Sequence, residues 1–111
     1  MDRSEIQSMR RSYSERELIL SENPIHAFRS WLKDAAELPS IVEANAMVLS
    51  TLGSDELIQS RTVLLKDVTE AGFTFFTNYS SRKAQAIELN SQVSLLFPWY
   101  PMERQVIVQG F

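Results

Sequence analysis

No cysteine occurs anywhere in the 111 residues. That excludes a disulfide framework and thiolate chemistry and leaves little from which to build a structural zinc site; no metal site is expected. Glycine and proline are scarce, three and four residues, in a chain that is 44% hydrophobic and 23% charged. This is the composition of one globular domain with a modest core, and no internal repeat or low-complexity segment interrupts it. No apolar run approaches the roughly 20 residues a membrane-spanning helix needs. The opening MDRSEIQSMRRSYSERELIL is charged throughout, unlike a secretory leader. Cations are outnumbered by acids, 11 to 14. A general nucleic-acid binder depends on massed lysine and arginine, so that class is disfavoured. The expectation is a cytoplasmic protein with neither a membrane nor a nucleic acid as partner.

Residues 1–20 are polar, with too few apolar positions to define a helical face, and read as a mobile or loosely docked N-terminal arm preceding a domain at 21–111. ENPIHAFRSWLKDAAELP carries the clearest helical signal. Asn23 suits the cap and Pro24 the first helical position. Ile25, Phe28, Trp31, Leu32, Ala35 and Leu38 recur at helical spacing, and Pro39 stops the run. His26 lies early in this helix with no partner cluster in view, which suits a surface residue better than a ligand or base.

From Ala46 the pattern changes. AMVLSTL, QSRTVLLKDV, GFTFFTN, VSLLFPW and RQVIVQGF are short segments rich in β-branched or aromatic residues. GSDE and TEAG suit hairpin connections between the first three. SSRKAQAIELNS, between the third and fourth, allows about two to three helical turns, with Ser81 as cap, Ala84 and Ile87 inward and Asn90 at the end. The fold class is therefore mostly β with peripheral helices, an antiparallel barrel rather than a parallel α/β sheet. With the final strand running to the last residue, the barrel is expected to be incomplete and to expose a seam.

Two stretches carry candidate chemistry. In FFTNYSSRKAQAIE, Arg82 and Lys83 stand where a helix would begin, an end whose dipole favours anions rather than cations. Free N–H groups, hydroxyls and two cations make a seat for a phosphate. Solvated cations paired with Glu88 or Asp67 explain the same residues without a ligand. In SRTVLLKDV, alternation puts Arg61, Val63 and Leu65 on one face and Thr62, Leu64 and Lys66 on the other. Arg61 and Lys66 thus bracket four residues whose backbone could serve a flat ligand, although a strand with charged ends needs none.

Taken together, RTVLLK, FFTNYSSRKAQAIE and VSLLFPWYPMERQVIVQG resemble the N-terminal half of the pyridoxine (pyridoxamine) 5′-phosphate oxidase family, FMN enzymes with a split β-barrel. The blocks fall in the same order, and NPIHAFRSWLKDA fits the family's lead-in; the likeness runs from about Met9 onward. It implies that Arg61, Thr62, Val63, Leu64, Leu65 and Lys66 line the flavin, with Arg61 near its phosphate and Lys66 reaching both flavin and substrate. Phe76 and Thr77 would also touch FMN; Phe76 is often tyrosine in the family, so a ring is kept and a hydroxyl lost. Arg82 and Lys83 would hold the FMN phosphate. Gln105 would hydrogen-bond to the flavin from a partner subunit, in a homodimer with FMN at its interface. MRRSY resembles a substrate-contacting segment, which brings in Arg10 and Tyr13 for pyridoxine or pyridoxamine 5′-phosphate.

The implied reaction is oxidation of that substrate to pyridoxal 5′-phosphate, with O2 reduced to H2O2. No side chain stands out as a general base. The family is roughly twice as long, and its remaining strands, substrate-phosphate clamp and C-terminal Arg-x-His segment have no match here. The hairpin segment GSDELIQ also lacks the glycine and proline usual at its place. Three alternatives stay beside this reading: a split-barrel flavin protein or fragment without the oxidase activity, a small barrel for single-stranded nucleic acid that uses Phe73, Phe75, Phe76, Trp99 and Tyr100, and a purely structural fragment.

Overall fold

The computed structural model describes residues 1–9, 22–76 and 92–111. Along the chain come helix α1 (Arg3–Ser8), helix α2 (Pro24–Glu37), and strands β1 (Ala46–Leu52), β2 (Ile58–Thr69), β3 (Gly72–Phe75), β4 (Val93–Phe97) and β5 (Val106–Gly110). A single 3₁₀ turn, Tyr100–Met102, stands between β4 and β5. All five expected strands are present, several a few residues shorter than their sequence pattern. The helix expected at 81–90 lies outside the described residues.

α1 was not legible as a helix because it buries nothing; its definition comes from Asp2, whose carboxylate accepts the Glu5 N–H at 2.9 Å. α2 follows its sequence signals closely. The Asn23 side chain accepts from the Ile25 and His26 N–H groups, and Pro24 occupies the first turn, where a missing N–H costs nothing. Phe28 and Ala35 are buried, with Ile25, Trp31 and Leu32 packed beside them. His26 is exposed, its Nε2 4.0 Å from Glu70 Oε1. Among the described residues no helix is long and apolar enough to cross a membrane.

The strands form one curled antiparallel sheet in the order β3-β2-β1-β4-β5, half of a barrel. Its edges, β3 and β5, do not pair with each other among the described residues, so the sheet stays open there. Period-two alternation sorts its side chains. Met47 and Leu49 of β1, Val63 and Leu65 of β2, and Leu95 and Phe97 of β4 are buried on the inner face under α2 and Trp99. The Phe28 ring meets Phe73 and Phe97 edge-on, each at 4.9 Å between centroids, and Trp99 lies 5.4 Å from Phe97. The Trp99 indole N–H is satisfied by the Ala44 carbonyl at 2.9 Å. Burial of each such large side chain contributes about 1.5–3 kcal/mol.

Both hairpins close without proline. Between β1 and β2 the Gly53 N–H donates to the Leu57 carbonyl at 2.9 Å, and Asp55 Oδ1 accepts from the Leu57 N–H at 3.1 Å. Glu56 takes the left-handed backbone (φ 62°) that a glycine would adopt more easily. Between β2 and β3, Gly72 supplies the positive φ itself, at 146°.

Candidate functional site

β2 is long and is paired differently along its two sides. β1 runs beside it from Ile58 to Leu64. β3 runs beside it only from Leu65 to Thr69. On the β3 side, residues 58–64 therefore have no neighbouring strand among the described residues, and every second backbone N–H and C=O there points away from β1. Within this stretch Arg61 and Thr62 are exposed, Leu64 is half-buried, and Val63 is buried in the core. Val63 and Leu65 can offer a ligand only their backbone, because their side chains pack inward.

Lys66 sits at a bulge. Leu65 pairs with Phe75 and Asp67 with Thr74, so one extra residue, Lys66, is accommodated on β2. Regular alternation would have carried Asp67 inward; the bulge changes phase, and Val68 is buried instead. The irregularity is held firmly at both ends. Before it, Leu65 donates its N–H to the Asn45 carbonyl at 2.8 Å, and its own carbonyl accepts from Asn45 Nδ2 at 3.0 Å. After it, the Val68 N–H donates to Asp67 Oδ1 at 2.8 Å, and the Arg29 guanidinium of α2 donates to the Val68 carbonyl. A bulge pinned in this way re-aims an exposed cation without loosening the sheet.

Phe76 follows directly on the Phe75–Leu65 pair and is 74% exposed. An exposed phenylalanine next to this strand is a surface on which a flat ring system can stack. The structure thus sets Arg61, Thr62, Leu64 and Lys66 along β2 and Phe76 just past the end of β3, with Arg61 on the face of Val63 and Leu65 and with Thr62 and Leu64 on the other. It does not set Gln105 beside them. Gln105 leads into β5, at the opposite edge, and lines a cleft of about 540 Å³ with Glu22, Pro24, Phe28, Trp31 and Ile107. Thr77, Arg82, Lys83, Arg10 and Tyr13 lie outside the described residues.

Sequence reasoning missed Asn45 and Arg29, which hold the bulge. Asn45 gives no sequence signal, since its partner is 20 residues away. Arg29 does give one: it stands four residues after Ile25, on the border of the apolar stripe of α2, where a long side chain can reach the sheet.

Comparison with known proteins adds a lineage to this geometry. Residues 32–110 match the family model described as pyridoxamine 5′-phosphate oxidase. A pyridoxine/pyridoxamine 5′-phosphate oxidase from Flavobacterium johnsoniae is 43% identical over 110 residues, covering 96% of this chain and 51% of that protein. Its namesake from Prochlorococcus marinus is 49% identical over 109 residues, covering 96% of this chain and 48% of that protein. Among solved structures, PhzG from Burkholderia lata 383 in complex with tetrahydrophenazine-1-carboxylic acid is similar, with a TM-score of 0.74 and 28% identity. That alignment covers 81% of this chain and 44% of PhzG. The chain spans about half the length of the curated relatives it matches.

Proposed function

The chain belongs to the pyridoxamine 5′-phosphate oxidase family, and from that premise we propose that it supplies the flavin seat of an oxidase acting on pyridoxine or pyridoxamine 5′-phosphate. The product is pyridoxal 5′-phosphate, formed directly from the alcohol or, from the amine, with water taken up and ammonia released, and O2 leaves as H2O2. The observation that carries this reading is strand β2, with exposed Arg61 and Lys66 along it, a stretch at 58–64 without a strand on the β3 side among the described residues, and exposed Phe76 just past the end of β3. These residues fit FMN: backbone groups of β2 for its polar ring edge, an exposed ring for its flat body, and cations for its phosphate.

In this assignment the backbone of Thr62, Val63, Leu64 and Leu65 and the side chains of Arg61, Lys66 and Phe76 hold the cofactor. Thr77, Arg82 and Lys83 join them on sequence grounds, with Arg82 and Lys83 on the phosphate. When bound, FMN supplies the two-electron acceptor for hydrogen leaving the 4′ carbon of the substrate and passes those electrons to O2. The protein contributes placement and electrostatics. Lys66, re-aimed by the bulge, reaches toward both flavin and substrate, while Arg10 and Tyr13 of the arm meet the substrate. Close orientation of two rings accounts for much of the rate without a general base.

Gln105 is assigned a contact with the flavin from a second copy, in a homodimer with FMN at the interface, a reading its place across the sheet from β2 supports. A second reading, flavin binding without this oxidase activity, is favoured by one observation: the similar PhzG structure holds a phenazine rather than a pyridoxine compound. The test is the visible spectrum of the purified protein after FMN addition and desalting, followed by assay of pyridoxine 5′-phosphate oxidation with peroxide detection. The oxidase reading expects near-stoichiometric flavin, its loss when Arg82 and Lys83 become alanine, and peroxide. Retained flavin without peroxide moves the assignment to the second reading. No retained flavin overturns both.

A further inference from the structure

Arg104 ends the tight turn that carries the chain from β4 into β5. Its backbone N–H donates to the Trp99 carbonyl at 3.2 Å, just after Glu103 has turned the chain through a left-handed conformation (φ 58°). Its guanidinium is held twice more. The central carbon lies 4.6 Å from the centroid of the Trp31 ring. Nη1 donates to Asp34 Oδ2 at 3.3 Å. Trp31 and Asp34 are three residues apart on α2 and so share one side of the helix. A planar group clamped between an indole and a carboxylate is geometry that lysine does not reproduce. Trp31 also lines the cleft into which Gln105, the very next residue, is set.

We propose that Arg104 is a positioning residue: by fastening the β4–β5 turn to α2 through Trp31 and Asp34, it sets the direction in which Gln105 is presented and hence the hydrogen bond that Gln105 offers the flavin. This rests on the reading of Gln105 as a flavin contact, and the experiment keeps the two apart. Its first arm needs no flavin. In NMR spectra of the full chain, Arg104→Ala should shift or broaden the Gln105 side-chain amide, and Arg104→Lys should do the same, while resonances of the inner-face core stay in place. An unmoved Gln105 amide in both variants overturns the clamp.

The second arm is FMN titration by fluorescence quenching of Arg104→Ala, Gln105→Ala and the double variant. Arg104→Ala should weaken binding about three- to tenfold in the parent chain. In the Gln105→Ala background it should change binding less than about twofold, because residues acting through one contact are not additive. Equal factors in both backgrounds overturn the proposal and leave Gln105 as a contact. A Gln105→Ala variant with unchanged affinity removes the Gln105 reading and the proposal with it.

Discussion

Leu96 and Phe97 are neighbours on β4 and face opposite sides of the sheet, and they show how unlike those sides are. Phe97, with no exposed surface, stands among Phe28, Phe73 and Trp99. Leu96 is half-buried on the outer face, opposite Val48 and Ile107, and does not pack against that core. The outer face mixes Val48, Leu64 and Leu96 with Ser50, Ser60, Thr62 and Ser94, and the Ser50 and Ser60 hydroxyls bond across it at 2.8 Å. One face finishes the fold within the chain. The other alternates apolar and hydroxyl side chains and is only partly covered among the described residues.

The contrast can be attacked from several directions. Phe97→Ala should cost about 3–5 kcal/mol, enough to unfold much of the population, as read by urea or thermal melts. Leu96→Ala should cost roughly 1 kcal/mol in dilute solution, since only part of its side chain leaves water on folding. A cost for Leu96→Ala that matches Phe97→Ala and grows with protein concentration would show the outer face to be covered by a second copy. For the proposed site the expected signature is reversed, with binding lost and stability kept. Arg61→Ala and Lys66→Ala should each weaken FMN binding by about 1.5–3 kcal/mol, the worth of a charge-assisted hydrogen bond. Their melting behaviour should stay within about 0.5 kcal/mol of the parent. Asn23→Ala removes the α2 cap and the 3.1 Å hydrogen bond to Glu70, and should cost about 1 kcal/mol in melts without touching flavin affinity. The smallest change is expected from Glu56→Gly, which relieves a left-handed residue at the hairpin and should stabilise the chain by about 0.5 kcal/mol in the same melts.

Much of this architecture was legible because its causes are local. Asn23, Pro24 and the apolar spacing to Leu38 define α2, and alternation from Ala46 onward defines β1 and most of β2. The assignment of Arg61, Val63 and Leu65 to one face agrees with their partners Leu49, Met47 and Phe75. What escaped was non-local. Nothing in LLKDV marks a bulge at Lys66, because only the register of β3 exposes the extra residue. The insertion of β1 between β2 and β4 is likewise a matter of long-range pairing. Arg104 meets its carboxylate partner across 70 residues of sequence. Of the candidate site, the strand residues could be named from their resemblance to a family, and the short reach of β3 along β2 could not, since that depends on long-range pairing.

The bulge at Lys66 has a bearing on how this strand can vary. Were that residue deleted, Leu65 and Asp67 would become consecutive and fall opposite Phe75 and Thr74 in unbroken register, with Val68 still turned inward. The lysine is thus a passenger on a strand whose packing could dispense with it.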